Sequence, residues 1–304
     1  MSEAPSGEQF EIVSGDQRAT IVEVGGGVRA YAHSDRAVLD GYERDAICDG
    51  ARGAVLAPWP NRLADGRYEF EGATHQLALS EPSTATAIHG LLRWTPWQAL
   101  RHEHSVISMG ARLHPQPGYP FDVEVTVRYA LGDDGLTVTT QARNLGAGAC
   151  PFGVGQHPYV SGGGAAIDAC KLELPAQTLI VTDARGLPQG RRALADSELD
   201  FRTARAIGAT IIDAPFTDLL RGSDGRARAR LAAPDGSCVE LWVDERHPVL
   251  QAFTGDTLAP ARRRRGLALE PMTCPPNALR SGEELIVLEP GASVSAQWGV
   301  ALLR

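Results

Sequence analysis

The sequence predicts an all-β protein, a large antiparallel sandwich, on three observations. The first is the segment PFDVEVTVRYALGDDGLTVTTQARN, residues 120–144, in which Phe121, Val123, Val125, Val127, Tyr129 and Leu131 alternate with more polar residues. Alternation with a period of two puts the apolar side chains on one face of a strand and cannot build one face of a helix. The second is punctuation: 33 glycines and 20 prolines divide the 304 residues into short apolar runs, as many turns between strands require. The third is that only one short stretch has helical promise.

Taken in chain order, strands are expected at 20–24 (TIVEV), 67–71 (RYEFE) and 106–113 (VISMGARL), ahead of the long hairpin. In that hairpin Asp133, Asp134 and Gly135 supply the turn, and Leu136, Val138, Thr140 and Ala142 resume the alternation. Further strands are expected at 170–174, 237–243, 248–254, 284–289 and 293–301, and a short helix over 191–199 (RRALADSEL). Gly25 to Gly27 lack the spacing and the following helix of a dinucleotide fingerprint, so they read as a tight bend. There is no internal repeat or long linker, and residues 1–304 read as a single domain.

Composition narrows the function. A hydrophobic fraction of 43% supports a sizeable core, and a net charge of −8 gives nucleic acid little electrostatic reason to bind. The cluster Arg262 to Arg265 reads as a solvated loop or a salt-bridge site. Five scattered cysteines without a CxxC pair fit a reducing cytoplasm and offer no structural zinc site. No apolar run is long enough to span a membrane, and the N-terminus MSEAPSGEQFEI lacks the pattern of a signal peptide. Neither a GKS or GKT phosphate loop nor a GxSxG elbow occurs, so the sequence calls for no nucleotide and no serine nucleophile.

Chemistry concentrates in PWPNRLADG (58–66), AIHGLLRW (87–94), GQHPYV (155–160) and LEPMTCPPNAL (269–279). Each sets polar groups beside Gly or Pro in an expected connection, where a rigid sheet can aim them into a cleft. Glu270 follows an apolar GLAL run, so a carboxylate facing inward there must find water, a donor or a charge partner.

In their order along the chain, the pairs Asn61-Arg62 and His89-Gly90, the His157-Pro158-Tyr159 triplet and Glu270-Pro271 resemble the NR, HG, H-P-Y and E-P motifs of the aldose 1-epimerases, or galactose mutarotases. The continuation through Pro276, Asn277 and Ala278 is also similar, and the likeness spans about residues 10–300. This resemblance implies a β-supersandwich and interconversion of the α and β anomers of a monosaccharide, without metal or cofactor. It also implies roles. His157 would be the general acid toward the ring oxygen and Glu270 the base toward the C1 hydroxyl. Arg62 and His89 would hold the sugar and stabilise charge, Asn61 would shape the loop, and Asp213 would bind sugar hydroxyls. Asp218, five positions on in IIDAPFTDLL, competes with Asp213 for that last role.

The chemistry stands without the family name. Opening a cyclic hemiacetal needs one base on the anomeric hydroxyl and one acid on the departing ring oxygen. Glutamate and histidine suit those tasks near neutral pH, and a nearby Arg62 would keep Glu270 ionised. Trp59, Trp94 and Phe216 are candidate walls against a sugar face, and Gln156 a candidate hydroxyl ligand, whereas Trp97 and Trp298 read equally as core. His102 and His104 in H-E-H lack a third ligand and read as surface residues, and His33, His75, His114 and His247 as structural or exposed. HGLLRW resembles a bacterial branch that includes proteins associated with sulfoquinovose metabolism. Arg93 could therefore meet an anionic group at C6, or could form a fixed salt bridge beside Trp94. Glycoside hydrolysis by Glu270 and Asp213 would leave His157, His89 and Arg62 without equal purpose. The main alternative is a non-catalytic carbohydrate-binding or sugar-sensing protein. The sequence leaves the oligomeric state open.

Overall fold

The computed structural model describes residues 4–195 and 197–303. The residues forecast as a hairpin form strands Val123–Gly132 and Gly135–Asn144, paired throughout their length. Inward positions of the first strand are fully buried while the intervening ones reach the surface, as the alternation requires. They lie in a nine-stranded antiparallel sheet running from edge strand Gln98–His102 through Val106–Leu113, the hairpin, Ser293–Leu303, Cys238–Val243, Ala227–Ala232 and Lys171–Glu173 to Arg205–Ala206.

A second, eight-stranded sheet runs from Pro188–Ala193 through Ala176–Thr182, Asp213–Leu219, Val249–Phe253, Gly266–Met272 and Gly155–Gln156 to Val55–Leu56. Tyr159–Ser161 joins it by pairing with Gly266–Met272. The two sheets share one apolar core: Val125, Val127, Leu136 and Val138 of the first belong to the same cluster as Leu250, Ala252, Leu267 and Leu269 of the second. A smaller sheet of Gln9–Ser14, Gln17–Val22, Val28–His33 and Arg36–Ala37 adds Ile12, Ile21 and Tyr31 to that cluster. The architecture is an antiparallel β-supersandwich.

Two expectations are corrected. The stretch 191–199 is not helical: Pro188–Ala193 is an edge strand on Ala176–Thr182, and turns follow it up to residue 196, which lies outside the described residues. Pairing to a neighbour outweighs a weak local helical preference. Glu270 does not sit in a connection but inside Gly266–Met272, a strand buried at every position. Such a strand is apolar on both faces and shows no alternation to read. Among the described residues the one α-helix is Ala278–Ser281, and no helix is long and apolar enough to cross a membrane. Arg264 pairs with Asp168 and Asp256, and Arg265 with Asp40, so the arginine cluster is a salt-bridge site.

Candidate active site

Strand Gly266–Met272 organises the site. Along one side it pairs with Gly155–Gln156 through Gly155 and Met272, and with Tyr159–Ser161 through Tyr159 and Ala268. The register on both sides of the break sets His157 across from Glu270. Pro158 has no N–H to donate there, while its carbonyl accepts from the Leu269 N–H at 3.1 Å. On the other side Gln251 is the register partner of Glu270. Opposed residues of antiparallel strands point to the same face, so His157, Glu270 and Gln251 form a row across the sheet.

His157 Nε2 lies 3.2 Å from Glu270 Oε1, with both side chains buried. His89 meets the His157 ring edge-on at 5.3 Å between centroids. It reaches that place through left-handed backbone, φ 63°, followed by Gly90 at φ 70°. A Cβ on Gly90 would come within 2.1 Å of the Ala57 carbonyl oxygen, so the HG pair needs its glycine. The Asn61 backbone N–H donates to His89 Nδ1 at 3.2 Å, which leaves Nε2 as the protonated nitrogen of the neutral ring. Asn61 shapes its loop: it is left-handed, and its Oδ1 accepts from the Arg62 N–H at 2.8 Å. Asn277 ties this loop to the chain after Glu270, donating from its backbone to the Arg62 carbonyl at 2.7 Å and accepting from the Ala64 N–H at 3.0 Å.

His89, His157, Gln251 and Glu270 line a cleft of about 330 Å³ with Arg62, Glu81, Arg93, Trp94, Tyr159, Asp213 and Phe253. A larger concavity of about 620 Å³ lies between Asp16, Asp133 and Trp242, but it shares no residue with the cleft and holds no buried acid–base pair. Chemistry, not volume, singles out the cleft.

Burial pushes the Glu270 carboxyl well above its ordinary range; Asp213 adds to the shift and Arg62 opposes it. Burial lowers His157 to about 3, and its own backbone hydrogen bond works against that. Both directions favour neutral side chains, so the proton of the pair rests with Glu270. This corrects the expectation that a nearby Arg62 keeps Glu270 ionised: burial outweighs it, and Arg62 is committed to Glu81 by contacts of 2.7 and 3.2 Å. The outer oxygen Oε2 of Glu270 and Nδ1 of His157 are buried without hydrogen-bond partners.

Asp213 opens strand Asp213–Leu219 at the cleft and accepts from Gln251 Nε2 at 2.8 Å. Desolvation by its packed surroundings raises its pKa, against the pull of Arg62 and Gln251, although the residue stays open to solvent at the cleft. Asp218 sits near the other end of that strand and is not part of the cleft lining, so Asp213 is the carboxylate the fold delivers. Gln156 is corrected. It faces the core, where Nε2 donates to Tyr129 Oη at 2.9 Å and Oε1 accepts from the Trp298 indole. Trp59 and Phe216 are likewise buried core residues rather than sugar walls. Trp94, 53% exposed, stands at the rim. The Arg93 guanidinium lies 5.3 Å from its ring and pairs with no carboxylate among the described residues, so the fixed salt bridge is absent. His102 and His104 are exposed, with His102 Nε2 at 2.8 Å from the Glu11 carbonyl oxygen.

Sequence reasoning missed Glu81, which orients Arg62, and Gln251, which joins Asp213 to Glu270. Gln251 had a signal, as the one polar residue inside PVLQAF; Glu81, in a turn-like SEPST, had none. One atom from each of His89, His157 and Glu270 lies within 4.8 Å of the others, so these three residues could also hold a divalent cation.

The sequence pattern of the family described as aldose 1-epimerase matches residues 8–300. The chain is 35% identical to the uncharacterized protein YihR of Escherichia coli (strain K12) over 290 residues, 94% of this chain and 90% of that one. It is 27% identical to the human galactose mutarotase over 339 residues, 93% of this chain and 94% of the relative. The fold superposes on a GalM/aldose epimerase homologue from C. elegans with a TM-score of 0.87 at 17% identity, covering 98% and 99% of the two chains. With that pattern running almost from end to end, the chain belongs to the aldose 1-epimerase family.

Proposed function

We propose that the protein interconverts the α and β anomers of an aldohexose, with His157 and Glu270 exchanging protons with the ring oxygen and the C1 hydroxyl. The observation that carries this reading is the buried His157–Glu270 pair, 3.2 Å apart and facing a sugar-sized cleft. A monosaccharide seated in the cleft beside the pair brings its own hydroxyls to both groups in place of water. That solvation, together with Arg62, draws the shared proton from Glu270 to His157. Glu270 then takes the C1 hydroxyl proton as His157 protonates the ring oxygen, and the hemiacetal C1–O5 bond breaks to give the aldehyde. Rotation about C1–C2 presents the other carbonyl face. Glu270 then returns its proton to the carbonyl oxygen while His157 takes its proton back from the O5 hydroxyl, which closes the ring to the opposite anomer.

His89, with Nε2–H free, and Arg62 supply donors for the charge that builds on oxygen, and Asp213 with Gln251 accepts from sugar hydroxyls. The large apolar cluster shared by all three sheets supports reading 1–304 as one working unit, and five unbridged cysteines support a cytoplasmic setting. Polarimetry or proton NMR on freshly dissolved α-glucose and α-galactose tests the proposal. Wild type should speed the approach to anomeric equilibrium, and H157N and E270Q, still folded, should each lose roughly 10²–10⁴-fold in rate. Binding of a sugar with no acceleration of any anomer would support the sensing alternative instead.

The unpaired Arg93 favours a finer reading of the substrate. A guanidinium at the cleft beside the Trp94 ring, with no carboxylate paired to it among the described residues, suits an aldose with an anionic group at C6. A C6-anionic hexose should show a kcat/KM at least ten times that of glucose, and R93M should erase the difference. Equal values for the two sugars would remove Arg93 from substrate choice.

A further inference from the structure

The wall behind His157 is a stack of three groups. The Tyr159 ring lies nearly parallel to the His157 imidazole, 14° between planes and 5.0 Å between centroids. On Tyr159 rests the Arg52 guanidinium, 4.3 Å from the ring centroid. Arg52 is buried and anchored by two carboxylates, with Nε at 3.3 Å from Asp40 Oδ2 and NH1 at 2.8 Å from Asp49 Oδ2. The same segment grips the backbone of the acid: the His157 N–H donates to the Ala54 carbonyl at 3.2 Å, and the Gly53 N–H donates to the His157 carbonyl at 2.9 Å. The Tyr159 hydroxyl closes the assembly by donating to the Gly50 carbonyl at 3.0 Å.

A buried arginine with two acid partners would pass for a structural ion pair if it stood elsewhere. Here its flat face is directed at the ring that carries the catalytic imidazole. We propose that Arg52, acting through the Tyr159 ring, is a positioning residue for His157: it fixes the plane of the imidazole and makes its protonated form a strong proton donor. Three separate contacts of residues 50–54 with His157 and Tyr159 fix the ring's place, so the acid cannot swing when sugar enters. The cation behind the stack repels a proton on the imidazole, which favours handing it to a departing alkoxide.

The other groups facing His157 are Glu270 across the ladder, His89 at its edge and Arg93 at the rim, with Arg62 and Asp213 beyond Glu270. Of these, Glu270 is the acid partner within contact distance, and Arg52 is the cation held on the side away from the cleft. Lowering of the His157 pKa by Arg52 agrees with this arrangement.

This inference rests on the anomerase reading, and its test separates the two. R52M combined with D40N removes the cation together with the buried carboxylate that holds it; D40N alone keeps the cation on Asp49 and serves as control, Arg265 losing the same partner in both variants. In the double variant the acidic limb of kcat/KM against pH, which reports the lower titration of the free pair, should move up by about half to one unit, and kcat should fall about tenfold with KM within twofold. Titration of the His157 imidazole by nitrogen-15 NMR in the free protein should move the same way, and D40N should leave it in place. R52K retains the charge but not the planar stack; it should keep the titration near wild type and lose at least threefold in kcat. A folded double variant with unchanged titration and kcat overturns the proposal, as does an effect confined to KM. If the double variant does not fold, R52K decides, and wild-type kcat in R52K overturns it. Should wild type fail to speed any anomer, the functional reading falls while the imidazole titration still reports on the stack.

Discussion

His157 and Glu270 occupy opposed positions of one interrupted antiparallel ladder, and their side chains meet at 3.2 Å beneath the cleft. Tight burial of such a pair is costly, because each group loses water and neither fully satisfies the other: Nδ1 of the histidine and Oε2 of the glutamate have no partners. The site therefore stores instability, and that gives the first prediction.

E270Q should raise the melting temperature at neutral pH. Glu270 has a folded pKa above its unfolded value of about 4.5, so the folded state holds more protons than the unfolded state once pH exceeds that value. Stability from this group is complete below pH 4.5 and is lost as pH rises toward the folded pKa. The gain on replacement should accordingly be largest at neutral pH and vanish near pH 4. Scanning calorimetry of both proteins from pH 4 to 8 checks it, and a gain independent of pH would contradict the burial argument.

Gln251 should matter for binding more than for folding. Its Nε2 holds Asp213 at 2.8 Å, and its Oε1 is buried without a hydrogen-bond partner. Q251A frees the Asp213 carboxylate to rotate, and a sugar hydroxyl loses an acceptor. KM should rise about tenfold, in keeping with roughly 1.4 kcal/mol, while kcat falls less. Q251E should be worse, since it sets a third carboxyl beside Asp213 and Glu270. Initial rates against sugar concentration separate the cases.

For Gln156 the opposite split is expected. Its side chain bridges Tyr129 of one sheet and Trp298 within the core, out of reach of the cleft. Q156L leaves the Trp298 indole N–H without an acceptor and should cost about 1–3 kcal/mol of stability, with KM unchanged. Tyr129 retains a partner, because its hydroxyl donates to the Gly26 carbonyl at 2.7 Å. Urea unfolding beside a KM measurement shows which role Gln156 has.

Metal dependence can be tested directly. Proton transfer by His157 and Glu270 needs no Lewis acid, so exhaustive chelation should leave the mutarotation rate unchanged. Added zinc should inhibit in competition with sugar by gathering His89, His157 and Glu270, whose donor atoms lie within 4.8 Å of one another. H89A should weaken that inhibition. Loss of activity on chelation, restored by a metal, would replace the proton-relay account.

The sequence by itself determined the antiparallel sandwich and singled out His89, His157 and Glu270, which the fold gathers at one cleft. Alternation from Val123 to Ala142 carries its own evidence, because a half-buried strand writes its inner face into every second residue. Motifs at Arg62, His89, His157 and Glu270 were legible because Gly90 and Pro158 mark the backbone devices that aim their neighbours. Only the tertiary structure decided that Glu270 lies inside a central strand, since burial on both faces erases periodicity. Which way Gln156 points, that Arg93 lacks a carboxylate, and that Arg52 stands behind His157 were also decided there. Each depends on a neighbour tens of residues away or more. Local sequence fixes which face a side chain shares with its own strand, whereas contacts across strands depend on register and pairing, which the whole fold sets.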